Sequence, residues 1–401
     1  MRLSPPDRRT KLILAALTIA AFAIGLDTFV IIGALEVISR DLNISTGAAG
    51  WVISIYALCY AVFAPLNASM FRAVSRRNVQ ILSLSIFIVG NVVCAFAPNF
   101  LSLAAARVIS AYGAAMFTPA ATAMATELLP PARKGLALSL VFGGMTVSQV
   151  AGVPATSWIA DAIGWRFAFG FVIIAGLLAL LMFAPMMSDV STMAQERRNP
   201  PASKDFPKVI FGILSVTLFV VASEFVVYSY VSVFITGSLL TGVPLLSAAL
   251  FAYGFGAATG NVACGFLTDR FGPYNVLIAA VGAQLMLLVG LISFGHHGAL
   301  TVLIAFFWGN VSYMYLVPIQ HRLLALAGGR SELVLAMNSS TTFAGIAIGA
   351  FLGGILVETS GVTSLAVGSI LIGLVGYGLA VAFMRDVARA EAATPASLTF
   401  D

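Results

Sequence analysis

The chain contains Phe22-Ala-Ile-Gly-Leu-Asp27-Thr-Phe-Val-Ile31 and, 197 positions later, Phe219-Val-Val-Ala-Ser-Glu224-Phe-Val-Val-Tyr228. Each stretch is an apolar run that carries one carboxylate, placed five residues after a phenylalanine. The same offset superposes Asp161 on Glu358, so the matches are spread along both halves of the chain. Such a pattern indicates an internal duplication, which in a very apolar chain is typical of transporters.

The composition indicates a protein whose solvent is the lipid bilayer. Hydrophobic residues make up 60% of the chain, charged residues only 9%, and the mean hydropathy is +1.01. A water-soluble chain of 401 residues with this composition would lack the polar surface needed to cover itself. The net charge of +5 does not point to nucleic acid, because the basic residues sit in short gaps between apolar runs.

Twelve apolar runs are long enough to cross a hydrocarbon core of about 30 Å. We therefore predict an all-α membrane protein with 12 transmembrane helices in two pseudo-symmetric six-helix bundles. The N-terminal bundle is predicted at 1–187, a solvated cytoplasmic linker at 188–208, and the C-terminal bundle with a short cytoplasmic tail at 209–401. The predicted spans are 12–37, 48–70, 79–97, 100–124, 135–160, 166–187, 209–236, 244–268, 275–295, 299–320, 333–357 and 363–384.

The distribution of Lys and Arg predicts the orientation of the chain. All but three of the 21 basic residues fall on the side that carries both termini. The exceptions are Arg40 and Arg166 on the far side and Arg107 inside the fourth span. By the positive-inside rule, both termini of this integral multi-pass protein are predicted to be cytoplasmic, in the cell (inner) membrane.

Two carboxylates lie near the middle of a span, where insertion costs about 2.5–3.5 kcal/mol. Acids in such positions usually face a cavity and usually serve a function. Asp27 and Glu224 occupy matching places in the two halves, so we expect them to face one central cavity and to exchange protons. The alternative is a structural acid bonded to a neighbouring hydroxyl, such as that of Thr28 or Tyr228.

Arg107 is the third costly residue and lies about a third of the way into the fourth span. Its guanidinium stays charged, so it would favour ionised Asp27 and compete with a proton or a cationic substrate. We therefore predict that Arg107 takes part in proton coupling. Snorkelling to the membrane surface, or an ion pair that only packs helices, are the alternatives.

Several motifs resemble those of the major facilitator superfamily. These are Arg107-Val-Ile-x-x-x-Gly113-Ala-Ala in the fourth span and Gly152-Val-Pro154 in the fifth. More narrowly, 22–30 and Ala48-Ala-Gly-Trp-Val-Ile-Ser-Ile-Tyr-Ala-Leu58 resemble twelve-span drug:proton antiporters, of the arabinose-efflux and chloramphenicol-resistance-like type. The resemblance implies alternating access. Those relatives commonly carry Glu where this chain has Asp27, so the acidic side chain here is one methylene shorter.

The resemblance also implies gating roles for the loop after the second span of each half. The second half has Gly265-Phe-Leu-Thr-Asp269-Arg270-Phe-Gly272, close to the family pattern Gly-x-Leu-x-Asp-Arg-x-Gly. The first half has Arg72 in place of the acid, followed by Arg76 and Arg77, for which orientation and headgroup binding are the alternative. The residues assigned to gating are Arg72, Arg76, Arg77, Gly265, Asp269, Arg270 and Gly272.

Small residues in the fifth and eleventh spans predict close helix packing between two halves that rock. They are Gly143, Gly152, Pro154 and Gly349. In the resembled antiporters a glycine-rich fifth span goes with export. By the same resemblance the first, fourth, seventh and tenth spans line the cavity, although polar residues there can also simply tie helices together. The residues predicted to contact substrate, with Gln149 added from the fifth span, are Tyr112, Gln149, Tyr228, Asn310, Tyr313 and Gln320.

The sequence shows no pattern of an enzyme, a metal site or a cofactor site. The three histidines lack Cys, Asp or Glu at metal spacing, and there is no phosphate-binding loop for ATP. The expected partners are a small-molecule substrate, protons and lipid, with no nucleic acid, and the chain is expected to be monomeric. An ion gradient must then supply the free energy of transport.

Taken together, these features predict a proton-coupled secondary active transporter that exports a small organic molecule, such as a drug, a sugar or a related metabolite. A facilitator or proton symporter for uptake is one alternative, and the glycine-rich fifth span weighs against it. A non-transporting membrane sensor is another, and the retention of Asp27, Arg107 and Asp269 weighs against that reading.

Overall fold

The computed structural model describes residues 7–71, 74–130, 134–183, 208–239, 243–294, 297–327 and 331–392, and these residues form helices joined by short turns. The prediction of an all-α membrane fold is confirmed. The helices are α1 (Arg8–Asp41), α2 (Thr46–Met70), α3 (Arg76–Ala95), α4 (Phe100–Leu128), α5 (Lys134–Val147), α6 (Val153–Ala162), α7 (Trp165–Phe183), α8 (Lys208–Tyr228), α9 (Val231–Leu239), α10 (Val243–Phe271), α11 (Pro273–Phe294), α12 (Gly298–Ser312), α13 (Leu316–Leu326), α14 (Ser331–Ser360) and α15 (Ser364–Ala392).

Three predicted spans are interrupted along their length. The fifth consists of α5, a π-helical turn at Ser148–Gly152 and α6. The seventh breaks between α8 and α9, and the tenth between α12 and α13. Outside the fifth span, eleven described stretches are long and apolar enough to cross a membrane. A helix break inside a membrane bundle is tolerated where the backbone groups it exposes are buried in protein or line a water-filled cavity. Such breaks often lie at binding sites of transporters.

The π turn follows from Pro154. Proline has no backbone N–H, so Pro154 cannot donate to a carbonyl of the preceding turn. The chain accommodates the missing bond by widening the turn, and the N–H of Val153 donates to the carbonyl of Ser148, five residues back. This wider turn carries Gln149, one of the predicted substrate contacts.

The predicted linker lies almost wholly outside the described residues, since α7 ends at Phe183 and α8 begins at Lys208. The domain boundaries therefore stay a prediction. We call α1–α7 with the π turn the N-terminal half and α8–α15 the C-terminal half. Two seams join them: α2 packs against α14, and the π turn with α6 packs against α10.

Hydrogen bonds close the α2–α14 seam at the end of the bundle that contains Ser45, Tyr230 and Glu358, which we call the distal end. The Ser45 hydroxyl donates to the Glu358 carboxylate across the halves. Tyr230, fully buried in the turn between α8 and α9, donates to the Ala350 carbonyl of its own half at 2.9 Å, and its hydroxyl lies 3.4 Å from the Gly47 carbonyl of α2. Its ring occupies the space that a Cβ on Gly50 would need, so Gly50 lets α2 accept a ring from the other half.

Glycines also set the close helix contacts inside each half. A Cβ on Gly144 would overlap the backbone carbonyl of Thr18 in α1, and one on Gly349 would overlap the carbonyl of Ala222 in α8. Gly349 thus packs within the C-terminal half rather than between halves as expected. Gly152 faces the flexible end of Leu26. The packing role predicted for Gly143 belongs to Gly144, because nothing lies within 4 Å of a Cβ placed on Gly143.

The neighbouring glycines of α5 provide a matched test of this packing. We expect Gly144→Ala to lower the stability of the protein by about 1–3 kcal/mol, because the methyl group must displace backbone of α1. Gly143→Ala should leave the stability unchanged or raise it slightly, since alanine is the better helix former. The measurement is the thermal midpoint of unfolding in detergent, and equal midpoints for the two variants would contradict the assignment.

Candidate functional site

Asp27 and Arg107 form an ion pair inside the N-terminal half. Arg107 Nη1 lies 2.5 Å from Asp27 Oδ1, and Nη2 donates to the Asp27 carbonyl at 3.0 Å. Both side chains are fully buried. The guanidinium also lies over the ring of Tyr56 in α2, 3.9 Å from its centroid. Helices α1, α2 and α4 thus meet around one compensated pair of charges.

The second carboxylate oxygen of Asp27 differs from the first. Oδ2 is buried and accepts no hydrogen bond from the described residues, although Asn91 of α3 and Ser110 of α4 lie beside the carboxylate. Thr28, the neighbour expected to satisfy the acid, donates instead to the Ile24 carbonyl at 2.8 Å. A buried acceptor without a donor costs roughly 1–3 kcal/mol, so this oxygen is one place where a proton would relieve an unfavourable state.

Glu224 sits in a different environment in the C-terminal half. Its Oε1 accepts a hydrogen bond from the hydroxyl of Tyr253 in α10 at 2.6 Å, and its Oε2 accepts one from Trp308 Nε1 in α12 at 2.9 Å. The ion pairs formed by the described residues do not include Glu224. Tyr228, the expected bonding partner, stacks instead on the ring of Tyr253 at 4.3 Å. Glu224 is therefore a buried carboxylate held by neutral donors.

The two acids do not share one cavity in this conformation. Phe29 of α1 stacks on Phe225 of α8 at 6.2 Å and meets Tyr228 edge-on at the same distance. These rings lie where the halves touch, next to the acids in sequence. Each carboxylate instead bonds helices of its own half. The two acids thus form two separate polar sites, and the rings of Phe29, Phe225 and Tyr228 lie at the contact between the halves.

Gln149 and Tyr313 connect the halves at two helix breaks. The side-chain amide of Gln149, in the π turn, donates to the hydroxyl of Tyr313 between α12 and α13. Gly254 of α10 lies directly against the Gln149 carbonyl, where a Cβ would fall only 2.5 Å from the oxygen. The sequence analysis singled out both polar residues, and the structure brings them together as a bond between the halves.

The remaining cavity candidates bind helices to each other. The amide of Asn310 donates to the Thr259 hydroxyl at 3.0 Å, which ties α12 to α10. The ring of Tyr112 packs edge-on against Phe63 at 5.0 Å, and Gln320 is half-buried on α13. In this conformation Asn310 therefore links two helices, which is the alternative role given above for polar residues in these spans.

Comparison with known proteins identifies the family. The family model described as Major Facilitator Superfamily matches residues 17–330. The chain belongs to the Major Facilitator Superfamily.

Relatives extend over most of the chain. An uncharacterized MFS-type transporter of Bacillus subtilis, YtbD, is 30% identical over 87% of this chain and 89% of its own. A chloramphenicol efflux pump of Mycobacterium tuberculosis is 28% identical over 92% of this chain and 91% of its own. The crystal structure of a D-xylose-proton symporter has the same fold, with a TM-score of 0.74, 15% identity and coverage of 93% and 97%. The chain is thus an integral membrane protein of a transporter superfamily.

The superfamily loop signatures lie at the end of the bundle opposite the distal end. Gly272 has φ +79°, a conformation that glycine adopts without strain. The backbone therefore explains why the second-half motif ends in glycine. Arg270 lies 5.5 Å from the ring of Phe271, and both Asp269 and Arg270 are exposed. A Cβ on Gly265 would meet open space. None of the ion pairs of the described residues contains Asp269, and its gating role stays a prediction.

The first-half loop has its own ion pair. Arg76, at the start of α3, lies 2.6 Å from Glu127 at the end of α4. Arg77 follows in the first turn of α3, and Arg72 lies outside the described residues. The first-half loop lacks the acid of the superfamily pattern, and Glu127 at the end of α4 instead forms an ion pair with Arg76.

Sequence reasoning missed three aromatic residues that contact Arg107 or Glu224: Tyr56, Tyr253 and Trp308. The chain has many rings, so aromatic character alone did not distinguish them. A usable signal was present, because the 197-residue offset that superposes Asp27 on Glu224 also superposes Tyr56 on Tyr253. Each acid therefore has a tyrosine at the equivalent position of the neighbouring helix.

The burial of the Asp27–Arg107 pair predicts a strong coupling in stability. We expect Asp27→Asn to cost about 3–5 kcal/mol, because it leaves the Arg107 charge buried without its partner. The double variant Asp27→Asn/Arg107→Gln should recover part of that loss, since no charge then remains. Thermal midpoints of the two single variants and the double variant, in detergent, measure the coupling. Strictly additive effects would show that the two residues act independently.

Proposed function

We propose that the chain is a proton-coupled exporter of a small organic molecule, working by alternating access in the cell membrane with both termini cytoplasmic. The observation that carries the proposal is Glu224, a fully buried carboxylate bonded by neutral donors only. Ionisable groups inside membrane bundles mark ion and proton pathways. The similarity to a chloramphenicol efflux pump supports export and offers a first compound to test.

The two acids are proposed to have different roles. Protonating Asp27 would remove the charge that Arg107 compensates, and disrupting a buried pair costs about 3–5 kcal/mol. The relief gained at the unbonded Oδ2 is smaller, about 1–3 kcal/mol for one buried hydrogen bond. While the pair is intact, Asp27 therefore stays ionised. No ion pair of the described residues includes Glu224, so we assign the transported proton to Glu224 and a coupling role to Asp27 with Arg107.

Alternating access requires both seams to separate and re-form. The contacts that hold the halves together are individually weak: a hydroxyl–carboxylate bond at Ser45, the long contact from the Tyr230 hydroxyl to the Gly47 carbonyl and the Gln149–Tyr313 bond. A typical hydrogen bond contributes only about 0.5–1.5 kcal/mol net. A substrate that offers Gln149 and Tyr313 other partners would thus compete directly with the closure of the seam.

The proposal is tested in liposomes that hold a pH-sensitive dye and are preloaded with chloramphenicol, then diluted into drug-free buffer. Antiport predicts that the lumen acidifies, because each molecule that leaves is exchanged for protons that enter. Glu224→Gln should abolish this acidification, and Asp27→Asn should reduce it. Asp161→Asn, which removes an exposed acid, is the matched control and should behave as the wild type.

The direction of the pH change separates the alternatives. A lumen that becomes alkaline would show symport, and drug efflux without a pH change would show a facilitator. If chloramphenicol is inert, the same protocol is repeated with pools of other drugs and sugars. Coupled transport that survives in the Glu224→Gln/Asp27→Asn double variant would overturn the proposed mechanism.

The Tyr230 contact predicts a change in the conformational equilibrium. In Gly50→Ala the new methyl group takes the space of the Tyr230 ring, so the distal end should open. Spin labels at the exposed positions Ile163 and Thr359 would report this as a shift of the distance distribution towards longer values. Gly143→Ala, whose Cβ meets open space, should leave the distribution unchanged. An unaltered distribution in Gly50→Ala would contradict the role of this contact.

A further inference from the structure

The two donors that hold Glu224 differ in what they can do when a proton arrives. A tyrosine hydroxyl has two lone pairs and a hydrogen that rotates, so it can donate or accept. An indole N–H can only donate. Tyr253 faces Oε1 at 2.6 Å and Trp308 faces Oε2 at 2.9 Å, so the two carboxylate oxygens have chemically unequal neighbours.

This inequality determines where a proton can bind. An O–H on Oε2 could not donate to Trp308, because the indole nitrogen offers no lone pair, so it would need a different acceptor. A proton on Oε1 meets the Tyr253 oxygen, which accepts it once its own hydrogen has turned away. Because Glu224 is buried, a donor without an acceptor would cost roughly 1–3 kcal/mol there, which favours Oε1.

We propose that Tyr253 is the positioning residue through which Glu224 gains and loses its proton, switching from hydrogen-bond donor to acceptor as it does so. This inference rests on the proposed role of Glu224 as the proton carrier. In the step, an incoming proton binds the Tyr253 oxygen while the hydroxyl passes its own hydrogen to Oε1. One O–H bond breaks and two form, the carboxylate becomes a neutral acid, and Tyr253 ends as a neutral phenol.

The surroundings hold Tyr253 in place for this switch. Its ring is stacked on Tyr228 at 4.3 Å and meets Trp308 edge-on at 5.2 Å. Gly309 of α12 lies against the Tyr253 backbone, where a Cβ would overlap the carbonyl oxygen. The ring and its backbone are therefore fixed on both sides, so the Tyr253 oxygen stays within hydrogen-bond distance of Oε1 while the hydrogens move.

Other titratable groups near Glu224 are tyrosines. Tyr228 lies on its own helix, and Tyr313 and Tyr315 face it from the break between α12 and α13. The charged residues of the neighbouring helices lie near helix ends: Glu358 bonds Ser45 at the distal end, and Asp269 and Arg270 lie in the last turn of α10. Arg322 and His321 lie on α13, a full helical turn or more beyond the break.

Ser312 is the one competing acceptor. Its hydroxyl lies beside the Glu224 carboxylate, but it donates to the Trp308 carbonyl at 2.7 Å and makes no hydrogen bond to the acid among the described residues. If Ser312 rather than Tyr253 exchanged the proton with Glu224, the tyrosine would not change its hydrogen bond as the acid titrates. Ser312→Ala therefore separates the two possibilities without touching the aromatic packing.

The test is infrared difference spectroscopy of the purified protein during pH exchange, which needs no substrate. The C=O band of a protonated acid that disappears in Glu224→Gln reports the proton on Glu224. Tyrosine labelled with ¹³C in the ring identifies the tyrosine C–O band in the wild type. We expect this band to shift in step with the acid band, because the hydroxyl changes from donor to acceptor.

Variants of the residues around Glu224 test which side chain produces the tyrosine shift. The coupled tyrosine shift should be lost in Tyr253→Phe, which keeps the ring and its stacking, and retained in Tyr228→Phe and Ser312→Ala. In Trp308→Phe the acid C=O band should move to higher frequency, because the carbonyl loses its donor, while the tyrosine shift remains. A Glu224 acid band that titrates with no tyrosine shift in the labelled wild type would overturn the inference.

The spectroscopic and transport experiments can contradict the inference and the proposed function independently. If the acid and tyrosine bands titrate together but no compound drives proton flux in liposomes, the proposed function fails and the role of Tyr253 stands. If antiport depends on Glu224 but the coupled shift survives in Tyr253→Phe, the inference fails and the proposed function stands. If no acid band is assigned to Glu224 at any pH, both the carrier and its relay are wrong.

Discussion

A carboxylate inside an apolar helix bundle must be compensated by the protein, because neither lipid nor bulk water can do it. This chain meets the requirement in two ways. Asp27 receives the full charge of Arg107 across the interior of one half, whereas Glu224 receives two neutral hydrogen bonds from Tyr253 and Trp308. Opposite charge and neutral donors differ in what happens when a proton arrives. The first opposes protonation and the second adapts to it, so similar acids at matching positions acquire different chemistry.

The arrangement of helices around these acids depends on where backbones can touch. Gly144 lets α5 rest on α1, and Gly309 lets α12 rest on α10 at the turn that carries Tyr253. Close approach fixes the distance over which a side chain must reach, and Tyr253 and Trp308 meet the same carboxylate because their helices are held together. Helix packing in a bilayer gains little from hydrophobic burial, so close contacts at small residues and hydrogen bonds between helices provide much of the stabilisation.

The breaks in the helices lie where the two halves meet. Pro154 widens the fifth span at the turn that carries Gln149, and the tenth span breaks at Tyr313, so the hydrogen bond between the halves joins two irregular points. The seventh span breaks at Tyr230, whose ring enters the other half at Gly50. Irregular turns can change shape at lower cost than a continuous helix, which suits contacts that must form and separate in each cycle.

Some of this was readable from the amino-acid sequence. The apolar runs, their duplication and the rare acids established a helical membrane protein with Asp27, Glu224 and Arg107 as its costly residues, because hydropathy and the price of buried charge are local properties. Gln149 and Tyr313 were also found, since polar residues in apolar runs stand out. Gly143 was chosen in place of Gly144, because which face of a helix meets a neighbour depends on packing and not on composition.

Other features depended on residues that are distant in the chain. That Asp27 is paired within its own half, that Glu224 is held by one donor able to reverse and one unable to, and that Phe29 and Tyr228 stand on the face between the halves all follow from helix contacts. Many phenylalanines and tyrosines have nearly the same local sequence, and only the three-dimensional packing selects which ring reaches the carboxylate. Hydropathy therefore specified the solvent and the helices, whereas the pairing of side chains across helices specified the chemistry of each acid.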